Sequence, residues 1–461
     1  MKITITGATG FVGRELCKSL ILDGFEEINI VTRDRSRFNK PLDFPFQVFE
    51  WKAPEQNLPS EELIRNSDVI IHLQGEPLLE GLWTSKKKEA IYNSRVRTTE
   101  NLLEQALHVN KKLKIISASG IGIYPDSIEK FDEDSVLDVP KDFLSRVCFD
   151  WERAATPYSK SDVTSIIIRF GVVLSPQGGA LKQLLPMHEL GFGSTIGFGR
   201  HDLSWIHMKD LVRILKFSIK NIHNSVILNA VSPDPIPYKQ FSRTLNQALK
   251  KINIPPIPKH LARLFLGEKV SVITKSHRIF PKKLTELGFE FEFPNIGDAL
   301  KDLLKNAKNF EQHFEQSQLI KMKKEDIFDF FSDPKNLEKI VPRYLKFQIQ
   351  NISTKSVEKG TLIDYQLKLY GFPFKWRTLI SNWQPPKTFE DSQLKGPYAK
   401  WVHTHRFFDL KDSRTLMLDT VIYKVPFGFL GHFLLGAVIR KQIKSIFAFR
   451  YKPLSEIFGN A

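Results

Sequence analysis

Lys2-Ile-Thr-Ile-Thr-Gly-Ala-Thr-Gly-Phe-Val-Gly13 opens the chain and decides how its first part folds. Ile3, Thr4, Ile5 and Thr6 make a short β-branched run, the pattern of a buried strand. It breaks at Gly7 and resumes with Val12, Leu16 and Leu20 at helical spacing. The glycines at 7, 10 and 13 stand where a strand-to-helix turn needs them. The first permits a tight turn, the second lets backbone approach a diphosphate, and the third lets the helix pack close to the sheet. The helix then offers free N–H groups and the positive end of its dipole to phosphate oxygens. Gly7, Thr9, Gly10, Phe11, Val12 and Gly13 are the candidate contacts.

Working outward, Ile28–Thr32 reads as a second strand that runs into Thr32-Arg33-Asp34-Arg35. Arg33 at a strand end suits a ribose 2′-phosphate through charge-assisted, two-point contacts, so NADP is expected over NAD. Phe46–Trp51 is a third strand. Val69-Ile-Ile-His-Leu73 is an uninterrupted apolar run typical of a central parallel strand, and it ends in Gln74-Gly75-Glu76-Pro77. Gln74, Gly75 and Glu76 are expected over the cofactor. A long helix is expected from Trp83 to Thr99. Further strands are Lys114–Ala118, ending in Ser117-Ala-Ser-Gly-Ile-Gly-Ile-Tyr124, and Thr164–Phe170.

The Gly-x-x-Gly-x-x-Gly spacing, with the Gly75-Glu-Pro … Trp83-Thr … Ser94-Arg-Val96 segment, resembles an atypical subgroup of extended short-chain dehydrogenase/reductases, the NAD-dependent epimerase/dehydratase branch. The resemblance covers residues 1–306, with a C-terminal substrate lobe at 240–305 marked by Pro255-Pro-Ile-Pro258, Gly267-Glu-Lys and Phe280-Pro-Lys-Lys-Leu. It implies a Rossmann-like, doubly wound parallel sheet, a nicotinamide cofactor and a small-molecule substrate that exchanges hydride with it. It also implies that Ser119 hydrogen-bonds that substrate.

One part of the pattern is missing. The acid/base of these enzymes is Tyr-x-x-x-Lys, and none of the ten tyrosines has a lysine four positions on. Where the motif belongs, the chain reads Asp142-Phe-Leu-Ser-Arg-Val-Cys-Phe-Asp-Trp-Glu152. Tyr124 is the nearest substitute, expected beside the nicotinamide either as an acid or as a packing surface. Ser204-Trp-Ile-His-Met-Lys-Asp210 resembles the segment that places substrate-side loops in these enzymes, and His207 and Asp210 read equally as substrate-side or as structural residues, an aspartate at a helix start being a cap before it is a catalyst.

Near Asn306–Gln312 the pattern changes to alternating strands from Phe314 to Tyr423, with a helix at Lys324–Phe331 and a long apolar helix from Phe427 to Phe449. This order, with Asp333-Pro-x-Asn336 and Lys400-Trp-Val-His-Thr-His-Arg-Phe-Phe408, resembles the START-like (SRPBCC) helix-grip domains. The resemblance implies an α+β domain over 313–461 that holds a hydrophobic ligand. His403 and His405 share a strand face. Without further ligands at suitable spacing they are read as ordinary core or surface histidines, and no metal is expected.

Composition bounds these readings. At 461 residues, with 42% hydrophobic and 26% charged content, the chain is long enough for two or three ordinary domains. Cys17 and Cys148 are too few for a disulfide framework and read as small core residues. The net charge is +16; residues 314–461 hold 24 Lys and Arg against 14 Asp and Glu, so +10 of it lies there. These charges are scattered singly and no nucleic-acid module is evident, so nucleic acid is not an expected partner; a membrane surface is a third reading. The terminal helix is too interrupted, by His432 and Arg440-Lys441, to span a bilayer. Met1-Lys2 leads straight into a strand, and the cytoplasm is the expected compartment. Two function classes remain open: an NADP-dependent oxidoreductase or epimerase, and a non-catalytic NADP(H) sensor that carries a hydrophobic metabolite.

Overall fold

The structure is a computed structural model. It describes all residues except 26, 35–45, 110–111, 138, 158–161, 196, 259–273, 306–310, 370, 411–412 and 460–461, and the side chains of 46, 429–430 and 432–433. Arg35, Gly267-Glu-Lys269, the start of the change of pattern at 306–310 and the His432 side chain therefore lie outside the described residues. The chain divides into two units, residues 1–39 with 46–305, and residues 40–45 with 306–461.

The first unit is built on seven parallel strands: β1 (Ile3–Thr6), β2 (Ile28–Thr32), β3 (Phe46–Glu50), β4 (Val69–His72), β5 (Leu113–Gly120), β6 (Val163–Phe170) and β7 (Val226–Ala230). Their order is β7-β6-β5-β4-β1-β2-β3, a doubly wound sheet whose strand order reverses between β1 and β4. All four residues of β1 and of β4 are buried, as a parallel strand covered on both faces requires. The polar ones are paired: Thr6 and His72 are register partners, and Thr6 Oγ1 lies 2.7 Å from His72 Nδ1. Burial alone holds His72 down to about 4, so it stays a neutral hydrogen-bonding group.

Three helices position the site: α1 (Phe11–Leu22), α2 (Val96–Val109) and α3 (Phe143–Ala155). α1 presents Leu16, Cys17, Leu20 and Ile21 to the core. α3 starts in a capping box, Asp142 Oδ1 accepting from Leu144 and Ser145 N–H. The single helix expected from Trp83 to Thr99 is two helices, Ser85–Asn93 and α2. The break falls at Ser94-Arg95, where the Ser94 side chain is held from outside the helix, its Oγ accepting from Glu76 N–H at 2.9 Å. Periodicity is blind to such a contact 18 residues away.

The second unit is a seven-stranded antiparallel sheet: β8 (Glu311–Ile320), β9 (Gln348–Ile352), β10 (Leu362–Leu369), β11 (Phe372–Gln384), β12 (Thr388–Lys395), β13 (Lys400–Leu410) and β14 (Arg414–Lys424). The order is β8-β14-β13-β12-β11-β10-β9, so the first strand pairs with the last and the rest form a meander. A helix, α4 (Lys324–Ser332), follows β8, and a long helix, α5 (Gly428–Phe458), follows β14. Ile443 and Phe447 of α5 join Leu367, Trp376, Val421 and Tyr423 of the sheet in one apolar cluster. α5 runs nine residues beyond the expected Phe449. Leu434, Leu435 and Val438 on it are exposed, and among the described residues no helix is long and apolar enough to cross a membrane.

Candidate functional site

Gly7 takes a left-handed backbone, φ +70°, and its carbonyl accepts from Gly10 N–H at 2.9 Å, which closes the turn between β1 and α1. A Cβ on Gly13 would stand 2.3 Å from Gly7 O, and one on Gly7 would stand 2.9 Å from the Leu73 carbonyl. Only glycine fits either position. Gly10 is the N-cap of α1, and no side chain caps the first-turn amides. Thr9 and Gly10 are exposed at this point; Phe11 and Val12 are half-buried. A tight turn and uncapped amides at the carboxyl end of β1, beside the strand-order reversal, fit a dinucleotide's diphosphate.

Phe11 opens onto a cavity of about 770 Å³. Its walls include Gly75 after β4, Gly120 and Gly122 at and after the end of β5, and Leu144 and Cys148 of α3. Gly178 and Gly179 lie under the Phe11 ring, so close that a Cβ on Gly178 would sit 2.2 Å from it. Leu144 and Cys148 are four apart on one helix face, the spacing of the expected Tyr-x-x-x-Lys, and they meet the cavity with a methyl-ended chain and a thiol. Burial pushes that thiol up to about 12, so Cys148 is a small apolar wall residue. Cys17 is likewise buried and pushed up to about 12.

Ser119 and Tyr124 do not line this cavity, which corrects the expectation that they stand beside a substrate. Ser119 Oγ donates to Glu152 Oε1 at 2.8 Å. Arg169 grips the same carboxylate, Nε to Oε1 at 2.7 Å and Nη2 to Oε2 at 2.8 Å, and its Nη1 donates to Tyr124 Oη at 2.7 Å. Tyr124 Oη in turn lies 2.9 Å from the Asp132 carbonyl and 3.0 Å from Asn229 Oδ1. Both side chains are buried, and burial pushes the Tyr124 phenol up to about 12, the wrong direction for an acid/base at neutral pH. Their hydrogen-bonding capacity is committed to a structural network joining β5, α3, β6 and β7.

The remaining expected residues divide. Gly75 reaches the cavity; Gln74 does not line it, and the Glu76 carboxylate is taken by Lys87 Nζ at 2.6 Å. Arg33 is exposed just past β2, open to a ligand on the surface. His207 and Asp210 are structural, but with exchanged parts: His207 Nδ1 accepts from Lys209 N–H to cap the helix Met208–Asn221, while Asp210 accepts from Glu292 and Phe293 N–H at 2.9 Å.

Two cavity residues carry chemistry that the sequence reading passed over. Arg95, at the helix break, lies over the Trp151 ring and donates to the Ile91 carbonyl. Burial lowers it to about 10, and it remains a cation. His277 is nine-tenths buried, and its Nε2 has no hydrogen-bond partner. Burial holds it down to about 4, so it presents a neutral ring to the cavity. It immediately precedes the short strand Arg278–Ile279, and its N–H donates to Asp202 O while its carbonyl accepts from Ser204 Oγ. A single histidine in Lys275-Ser-His277 has no periodic signature; only the tertiary fold brings it to the cavity.

In the second unit a cavity of about 150 Å³ lies between the sheet and α5. Its lining is aromatic and aliphatic except at one end, where Asp391, His403, His405 and Arg450 gather. His403 bridges Asp391 Oδ2 (3.3 Å) and Asp419 Oδ1 (3.1 Å), and His405 Nδ1 lies 2.7 Å from Asp419 Oδ1. Burial pushes both carboxyls up, but the imidazoles outweigh it and hold them well below the usual range. The reading of His403 and His405 as ordinary core residues misses this cluster, because Asp391 and Asp419 come from neighbouring strands.

Comparison with known proteins places the first unit. The family described as "NAD dependent epimerase/dehydratase family" matches residues 3–230, and a domain of unknown function (DUF1731) matches residues 257–303. The epimerase family protein YfhF of Bacillus subtilis is 33% identical over 310 residues, covering 67% of this chain and 99% of its own. The chain belongs to the NAD-dependent epimerase/dehydratase family. Within that family, the chloroplastic SDR39U1 homolog of Arabidopsis thaliana is 31% identical over 66% of this chain and 87% of its own. The human epimerase family protein SDR39U1, solved with NADPH, is 27% identical with a TM-score of 0.58, over 66% of this chain and all of its own. A nucleoside-diphosphate sugar epimerase from Corynebacterium glutamicum is 29% identical with a TM-score of 0.53, over 66% of this chain and 58% of its own.

Proposed function

We propose that the first unit is an NADP(H)-dependent oxidoreductase or epimerase acting on a hydroxyl- or carbonyl-bearing small molecule, and that the second unit holds a hydrophobic ligand. The supporting observation is the cavity of about 770 Å³ that runs from Phe11, the residue after the glycine turn, to His277. When bound, the nicotinamide would exchange a hydride with the substrate. The chain's own part is to hold and shield. Gly7, Gly10 and the first-turn amides of α1 bind the diphosphate, and Arg33 takes the 2′-phosphate. Leu144, Cys148 and Phe11 exclude water. His277 Nε2 is the acceptor available to orient a substrate hydroxyl by a hydrogen bond, and Arg95 offers a cation to an anionic substrate group, as a nucleotide sugar would carry. The NADPH in the human relative and the arginine after β2 both favour NADP over NAD.

Leu144 and Cys148 in place of a tyrosine–lysine pair favour a second reading, an NADP(H) sensor without turnover. Calorimetry of the full chain with NADPH and NADH tests the shared part. NADPH binding tighter than NADH, with the difference lost in Arg33→Ala, supports both; no heat with either coenzyme ends both. Oxidation of bound NADPH by a panel of carbonyl and nucleotide-sugar substrates then separates enzyme from sensor.

A further inference from the structure

We propose that the cavity of the second unit takes an apolar molecule ending in a carboxylate, and that Arg450 is the seat of that anion. The inference rests on the reading of this unit as a hydrophobic-ligand domain and adds the ligand's head group.

The polar end of the cavity leaves hydrogen-bond donors unmade. Arg450 lines it, its guanidinium lies 4.4 Å over the Phe447 ring, and its Nε and Nη1 are buried without a hydrogen-bond partner. Its approach to Asp419 Oδ2, 3.8 Å from Nη1, is too long for a hydrogen bond. His403 and His405 hold Asp419 by Oδ1 and His403 holds Asp391 by Oδ2, and in that position Asp419 Oδ2 stops short of hydrogen-bond distance from the arginine. Buried donors are rarely left unmade, and each of these two calls for an acceptor oxygen of its own, a charged carboxylate oxygen being the strongest partner for a guanidinium N–H. The rest of the wall, including Trp376, Trp383, Phe347 and Ile446, admits an apolar body. A cavity of about 150 Å³ suits a single ring or a short chain.

A metal ion is the competing occupant. Donor atoms of Asp391, His403 and His405 lie within 4.8 Å of one another. A divalent cation would leave the arginine's two donors unmade and add positive charge beside it, whereas a carboxylate gives the guanidinium a charged acceptor.

Calorimetry of the full chain with octanoate, octanol and octylamine, one body with three heads, decides the matter. The expected result is octanoate tighter than octanol by about tenfold or more. Arg450→Gln should bring octanoate down to the level of octanol and leave octanol unchanged. Arg450→Lys, which keeps the charge and loses the planar set of donors, should retain part of the preference. Equal binding of octanoate and octanol overturns the carboxylate while the hydrophobic reading stands. Tightest binding of octylamine overturns it in favour of the acidic pair. Binding of none of the three removes the hydrophobic reading as well. Should both variants fail to fold, the ranking of the three heads on the wild-type chain still decides.

Discussion

Arg169 and Glu152 face each other through two parallel hydrogen bonds, 2.7 and 2.8 Å, with side chains only 4% and 9% exposed. Ser119 and Tyr124 hang from opposite ends of this pair. The hydroxyls that sequence alone offers as catalysts are thus the outer members of a buried ionic lock. Glu152→Gln leaves Arg169 buried without its counter-charge and should cost about 3–5 kcal/mol in urea unfolding of the first unit. The double variant Glu152→Met/Arg169→Met should recover most of that. A loss in the single variant below 1 kcal/mol, by the same estimate, would show the lock to be slack.

Acid should weaken the first unit before the second. His72, His207 and His277 are held at about 4 by burial, against 6.5 for an exposed histidine. Their folded pKa is depressed, so below pH 6.5 the unfolded chain gains protons that the folded one refuses, and stability falls as pH drops towards 4. His72 alone accounts for roughly 3 kcal/mol over that window. Glu133, pushed up by burial, opposes part of the effect. The second unit behaves otherwise. Asp391 and Asp419 are depressed below the usual carboxylate range, and their contribution is lost only as pH falls below it. His403 is raised, since Asp391 and Asp419 outweigh the burial that lowers it, and its contribution fades only as pH rises. Calorimetric scans at pH 7 and 5 should show one transition move down and the other hold.

Gly13→Ala tests the turn. The added methyl has no space beside Gly7 O, so either the turn opens or α1 shifts away from the sheet. NADPH fluorescence enhancement should vanish while the unfolding transition of the second unit stays unchanged. Retained NADPH binding would place the cofactor elsewhere.

His277→Leu tests the cavity's acceptor. The leucine fills similar space without Nε2, so NADPH affinity should stay within about twofold while turnover of any accepted hydroxyl substrate falls by roughly 10²-fold or more. His277→Gln, which can still accept a hydrogen bond, should restore part of the turnover that His277→Leu loses. Unchanged turnover in both would leave His277 as a wall residue.

The sheet of the first unit was legible because its strands are continuous apolar runs bounded by glycine and polar turns. Ile28–Thr32 is observed with the expected bounds, and Val69 begins β4 as read. The meander of the second unit was legible from alternation, each strand found within a few residues of its expected bounds. Function was less legible, because it depends on which face a residue shares. Ser119 and Tyr124 have the right chemistry at the right strand end, yet the charge of Arg169, 50 and 45 residues on, draws them into the interior. Arg95 stands in the Ser94-Arg-Val96 motif, which gives it no role, and His277 in none, and only the close packing of the folded unit shows that they meet one cavity. Asp391 and Asp419 escaped notice because a metal or ligand set on neighbouring strands has no fixed spacing along the chain.

The ring of Phe11 resting on Gly178 and Gly179 links the first helix to a segment more than 160 residues later. A nascent chain of 150 residues therefore owns the strand, the turn and the helix but lacks the floor beneath the ring. Coenzyme capture must wait until the ribosome has delivered that floor, and fragments ending short of it should compete for no nucleotide.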